Sequence, residues 1–210
     1  MMSNSLATLY YVHDPMCSWC WGFRPVWDEV QAALAGKVNI RYLLGGLAPD
    51  TDEIMPDSMQ RSIRSTWQRI QQEIPGTEFN DDFWTACRPR RSTYPSCRAV
   101  IAAGLQGDEF TKKAMILAIQ QAYYLRAKNP SDVAVLIQLS AEIGLDVKRF
   151  EADIASERCN VLLDDEISLS RRLGVSGFPG LELSYKDSNT LIHINYTDSQ
   201  VIVSSILARL

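Results

Sequence analysis

Two thiols stand at a spacing of one helical turn. Cys17-Ser18-Trp19-Cys20 places a pair of cysteines at the i, i+3 spacing, directly after an apolar stretch and at the head of an amphipathic one. Sulfurs so spaced can close and open a disulfide between themselves. One attacks an external disulfide, and the other releases the resulting mixed disulfide. The head of a helix favours this, because its unpaired N–H groups and dipole stabilise an anion such as a thiolate at Cys17. Cys17 is therefore expected to be the exposed nucleophile and Cys20 the more buried resolving thiol. The competing chemistry for such a pair is half of a zinc site. That needs a second ligand pair, and Cys87 and Cys97 stand ten residues apart. Cys159 and the two histidines supply no ligand spacing either, so no metal is expected.

A second feature is independent of the first. Gly174-Val175-Ser176-Gly177-Phe178-Pro179-Gly180 precedes a Leu181–Tyr185 strand pattern. Proline removes a ladder donor and is excluded from sheet interiors. Its position predicts a turn with a cis Phe178–Pro179 bond, beside which an extended substrate segment pairs with the backbone. The bland alternative is an edge-strand proline.

The elements that must hold these residues follow from periodicity. Ala7–Val12 reads as a buried strand, Ser18–Leu34 as a helix ended by Gly36, and Val38–Leu44 as a second strand. Strand, helix and strand in 45 residues predict a right-handed βαβ unit. Helical patterns then follow without a strand. Met59, Ile63, Trp67, Ile70 and Ile74 form one face, read as core, and further patterns cover 97–106, 110–127, 132–143, 146–155 and 158–173. Strands return at Leu181–Tyr185 and Leu191–Tyr196, joined by a Lys186–Thr190 loop, and Asp198 caps a last helix. This order predicts an α/β protein with a discontinuous thioredoxin-like domain (1–47 and 175–210) and an all-helical insertion (48–174).

Composition bounds the partners. The chain has 210 residues, 46% of them hydrophobic, enough for a core without disulfide staples. Its net charge of −4 gives no basic field for nucleic acid. No apolar run reaches the roughly 18 residues of a membrane span. Leu6–Val12 is short and apolar, and the first basic residue is Arg24. That is not the pattern of a secretory leader, so a cytoplasmic protein is expected.

In this order these residues resemble the DsbA family of thiol–disulfide oxidoreductases, a thioredoxin fold with an inserted helical domain. The stretches His13-Asp14-Pro15-Met16-Cys17-Ser18-Trp19-Cys20-Trp21-Gly22-Phe23 and Arg90-Arg91-Ser92-Thr93-Tyr94-Pro95-Ser96-Cys97-Arg98-Ala99, with the GVSGFPG loop, look like its FrnE-like branch of predicted protein-disulfide isomerases. The resemblance implies exchange on protein or peptide disulfides, with Cys17 and Cys20 as the redox pair and Pro179 as the cis-proline. It implies no metal or organic cofactor, with glutathione open as a redox partner. It also sets Cys97 near the pair as an auxiliary thiol.

Ser-Trp between the cysteines brings no cation into the motif, so a weaker oxidant than the strongest family members is expected. Trp19, Trp21 and Phe23 are divided between core and an apolar rim for substrate, with Trp19 and Phe178 assigned to binding. His13 either assists Cys17 or faces solvent. Arg24 is read as a solvated helix residue, and Cys159 as a small apolar one. Two rival functions stand beside exchange: a glutathione-binding transferase or isomerase of the kappa-class kind, and a non-catalytic chaperone-like binding protein.

Overall fold

The computed structural model describes residues 6–186 and 188–210. Residues 1–5 of the amino-terminal stretch, and Asp187 of the expected hairpin loop, lie outside the described residues. The first unit is β1 (Thr8–His13), α1 (Ser18–Leu34) and β2 (Asn39–Leu44), with β1 and β2 parallel in the register Thr8↔Asn39 to His13↔Leu44. The chain returns to this sheet as β3 (Gly180–Tyr185) and β4 (Ser188–Ile192), then ends in α9 (Ser199–Leu207). The sheet order is β2-β1-β3-β4, with β3 antiparallel to both neighbours. This is the thioredoxin-like α/β fold.

Between β2 and β3 lie α2 (Asp57–Glu73), α3 (Phe83–Ala86), α4 (Tyr94–Gly104), α5 (Glu109–Tyr124), α6 (Val133–Glu142), α7 (Val147–Ile154) and α8 (Glu157–Arg172). Several starts follow side-chain chemistry. Asp108, Asp146, Ser156 and Asp198 each accept backbone N–H groups at the heads of α5, α7, α8 and α9. Pro95 sits in the first turn of α4, where its missing N–H costs nothing, so that helix starts before the expected residue 97.

Three further details differ from the sequence-based expectation. Ser188–Thr190, expected in a loop, are paired with β3, and β4 ends at Ile192 rather than running to Tyr196. Backbone pairing with β3 satisfies these polar residues on an exposed edge, which side-chain patterning does not register. The four-residue α3 was not anticipated, because it is too short to show a period. Met59, assigned to a core face, is 38% exposed, whereas Trp67 and Ile70 below it are buried.

Two cores result. Leu9, Phe23, Trp27, Leu34, Leu183 and Ile202 join one sheet face to α1 and α9. A larger helical core is centred on Trp67, Met115, Tyr124, Leu136 and Phe150, and reaches the sheet through Leu44 and Met16. Trp67 is 1% exposed and stacks on Phe79 at 4.8 Å, with Trp84, Tyr123 and Tyr124 rings within 5.6 Å. Removing so large a buried ring forfeits transfer energy and leaves a cavity. Trp67→Ala is therefore expected to lower stability by about 3–5 kcal/mol in urea unfolding; a loss below about 1 kcal/mol would contradict this packing.

Candidate active site

The site is built from the turn after β1. Asp14, wholly buried, is its centre. One carboxylate oxygen accepts the Met16 N–H at 2.8 Å. The other accepts the Leu47 N–H at 2.8 Å, the Thr93 hydroxyl at 2.6 Å and the Cys97 thiol at 3.5 Å. One side chain thus ties together the turn before the cysteines, the segment after β2 and the head of α4. Burial pushes the Asp14 carboxyl up, against the pull of the Thr93, Leu47 and Met16 hydrogen bonds.

That turn delivers Cys17 to the N-cap of α1. Its backbone N–H donates to Asp14 O at 3.0 Å, and its sulfur accepts the Cys20 N–H at 3.3 Å. The same sulfur donates to Phe178 O at 3.4 Å, a contact across 161 residues. The Phe178–Pro179 bond is cis, at the start of β3. The loop reaches the cysteine because of a gap opposite: a Cβ on Gly45 would stand 1.9 Å from the Phe178 ring. Cys17 is 5% exposed, so the expectation of an exposed nucleophile is corrected. The loop before β3 lies against its sulfur.

Cys20, one turn on, is 1% exposed. Burial pushes its thiol well up, and the hydrogen bond and charge of Cys17 add to the rise. Both are free thiols, as are Cys87, Cys97 and Cys159. Cys87 donates to Ala127 O at 3.1 Å, away from the Asp14 carboxylate that Cys97 meets. Cys159 is fully buried and donates to Arg98 O at 3.3 Å. Among the described residues, no three His, Cys, Asp or Glu side chains group as a metal site.

The aromatic neighbours divide their tasks. Phe23 is core. Trp21 is half-buried and its Nε1–H donates to Glu78 O at 3.0 Å. Trp19, between the cysteines, is half-buried against the Tyr196 ring at 5.0 Å, with Arg69 4.7 Å from its centroid. Arg24, read as solvated, lies 3.8 Å from Asp28 and is half-buried.

His13 neither faces solvent nor hydrogen-bonds Cys17. It is 1% exposed and stacks on Tyr11 at 5.1 Å and 6°, with Tyr42 edge-on at 5.5 Å. Both readings are thereby corrected, because α5 closes over this end of the sheet. Asp14 and Thr93 were missed as site residues: each stands in a quoted motif, but an Asp before Pro reads first as a turn. The signal was the recurrence of polar residues in two motifs 79 residues apart.

The comparisons with known proteins agree with this geometry. A protein-family model described as Thioredoxin matches residues 10–202, so the chain belongs to that family. Among solved structures, it is similar to a candidate protein disulfide isomerase of Nitrosomonas europaea. That likeness has 24% identity and a TM-score of 0.82, over 98% of this chain and 97% of the other. It is also similar to the cytosolic disulfide reductase DsbM of Pseudomonas aeruginosa, at 25% identity and TM-score 0.71, over 96% and 94% of the two chains; that protein was also solved with GSH. Among curated proteins it is 23% identical over 175 residues to the ClpXP adapter protein SpxH of Halalkalibacterium halodurans, over 81% of this chain and 56% of that one. The chain thus spans about half the length of the curated relatives it matches. The fold is that of DsbA-like oxidoreductases and carries a CxxC pair, without singling out the FrnE-like branch. No helix of the described residues is long and apolar enough to cross a membrane.

Burial with no partner for Nε2 pushes the His13 imidazole down to about 3, from an ordinary 6.5. The unfolded chain takes up this proton below pH 6.5, whereas the folded chain refuses it until about pH 3. Stability from the neutral ring is present above pH 6.5 and is lost as pH falls, by about 2 kcal/mol at pH 5. His13→Phe keeps the stack and removes the proton. Between pH 7.5 and 5, the variant is expected to lose about 2 kcal/mol less stability than the parent in urea unfolding; equal losses would contradict the buried neutral ring.

Proposed function

We propose that the protein is a thiol–disulfide oxidoreductase or isomerase acting on protein or peptide disulfides. The observation that carries this is Cys17, capping α1 with its sulfur 3.4 Å from Phe178 O and Cys20 one turn behind. The Cys17 thiolate attacks a substrate disulfide. A new S–S bond forms to Cys17, and the departing substrate sulfur leaves as a thiolate and takes a proton. Cys20 then gives up its proton and attacks the Cys17 sulfur. The mixed disulfide breaks, the substrate leaves with both sulfurs reduced, and Cys17–Cys20 remains as the disulfide.

The high proton affinity of Cys20 keeps it out of the first step, so Cys17 is the sulfur offered to substrate. Two thiols of glutathione, the ligand solved with the DsbM neighbour, are the proposed reductant. Phe178 and Pro179 border the approach to Cys17 and Trp19 offers an aromatic face beside it, so these three are the proposed substrate contacts. Cys97, which shares Asp14, is a proposed auxiliary thiol, and His13 is assigned to the core. In this reading the thioredoxin-like part (1–47 and 175–210) performs the exchange and the helical part (48–174) covers it. The cytosol is the proposed compartment, supported by the DsbM likeness.

A second reading is a non-catalytic adapter, favoured by the sequence shared with SpxH. It predicts client binding that survives loss of both cysteines. Exchange predicts otherwise. Insulin reduction driven by glutathione is expected to fall at least about a hundredfold in Cys17→Ser. Undiminished turnover would end the exchange reading.

A further inference from the structure

The three proposed substrate contacts, Trp19, Phe178 and Pro179, carry no charge. One of them has a cation on its face. Arg69 of α2 holds its guanidinium carbon 4.7 Å from the centroid of the Trp19 ring, which also meets the Tyr196 ring at 5.0 Å. α2 belongs to the helical part of the chain, so this stack brings a charge from there to the residue between Cys17 and Cys20. The Tyr196 hydroxyl feels both the guanidinium and the sulfurs. Burial pushes it up, the charges at Cys17, Cys20 and Glu73 add to the rise, and that of Arg69 opposes it.

The donors of Arg69 are open to an incoming group. Its side chain is 60% exposed. Stacking uses the flat face of a guanidinium and leaves its N–H edge free to donate. Glu73, four positions on in the same helix, meets that edge through Nε at 3.4 Å. Such an exposed pair contributes little and yields to a competing carboxylate. Among the described residues no hydrogen bond engages the two terminal nitrogens of Arg69, whereas those of Arg98 are both taken by Asp50, at 2.8 and 2.7 Å.

We propose that Arg69 reads a carboxylate on the substrate, so that peptide disulfides with an acidic residue beside the cysteine are exchanged faster than neutral ones. This rests on the exchange reading and narrows its substrate class. With the disulfide at Cys17 and the peptide against Trp19, the acidic side chain takes the place of Glu73 at the guanidinium edge, where paired N–H donors fit a carboxylate. Arg69 thereby sets the preference among peptides and leaves the sulfur chemistry to the two cysteines. A negative charge beside a disulfide on its own repels an attacking thiolate, so this preference runs against the intrinsic order.

The probes are symmetric disulfides of the blocked peptides Ala-Cys-Asp-Ala and Ala-Asp-Cys-Ala, each compared with its Asn counterpart. The rate is that at which the reduced protein releases peptide thiol. At least one Asp peptide is expected to react about three- to fivefold faster than its Asn counterpart. Salt at about 0.5 M is expected to erase most of that preference. In Arg69→Gln the preference is expected to vanish or reverse, with Asn-peptide rates unchanged. Glu73→Gln, which removes the competing carboxylate, is expected to keep or enlarge it. Parent protein that reacts equally with Asp and Asn peptides would overturn the proposal and leave the exchange reading standing. So would a preference that persists in Arg69→Gln, or one that Glu73→Gln abolishes. Thiol released from none of the peptides would remove the exchange reading, and this preference with it.

Discussion

The arrangement depends on one buried carboxylate. Asp14 receives two backbone N–H groups, a hydroxyl and a thiol from its own turn and from two segments distant in sequence. A buried carboxyl with so many donors is stable only while all of them stay in place, because each lost partner exposes its desolvation cost. The turn from β1 into α1 is therefore fixed against the head of α4 and the segment after β2. That turn decides where Cys17 meets the α1 dipole, and so where its sulfur meets the loop before β3. The hydrogen bonds gathered at Asp14 thus set the position of Cys17.

The two sulfurs then differ for reasons of environment. Both are thiols on adjacent turns of one helix. Cys17 caps the helix and touches a backbone carbonyl from the far end of the chain, whereas Cys20 is enclosed and its proton is held tightly. Burial, with the hydrogen bond and charge of Cys17, holds the proton on Cys20.

Much of this was legible in the sequence, and the failures share a cause. The α1 span of Ser18–Leu34 was readable because its buried residues keep one period and Gly36 follows them. The CxxC pair and the loop before β3 carry local signatures, so they could be found one at a time. What could not be read was anything made by packing between distant segments. His13 looked like a strand-end residue until α5, about a hundred positions later, buried it. Asp14 looked like a turn former, although its partners Leu47, Thr93 and Cys97 make it the hub. Met59 kept the helical period but lay beyond the reach of the core. Ser188–Thr190 joined the sheet through backbone groups that no side-chain pattern records.

The division of labour between the sulfurs is the central claim, and trapping tests it most directly. Cys20→Ser protein incubated with a disulfide-bonded peptide should hold a stable mixed disulfide, with the peptide mapped by mass spectrometry to Cys17 alone. An adduct on Cys97 or Cys87 instead, or none on Cys17, would contradict the account.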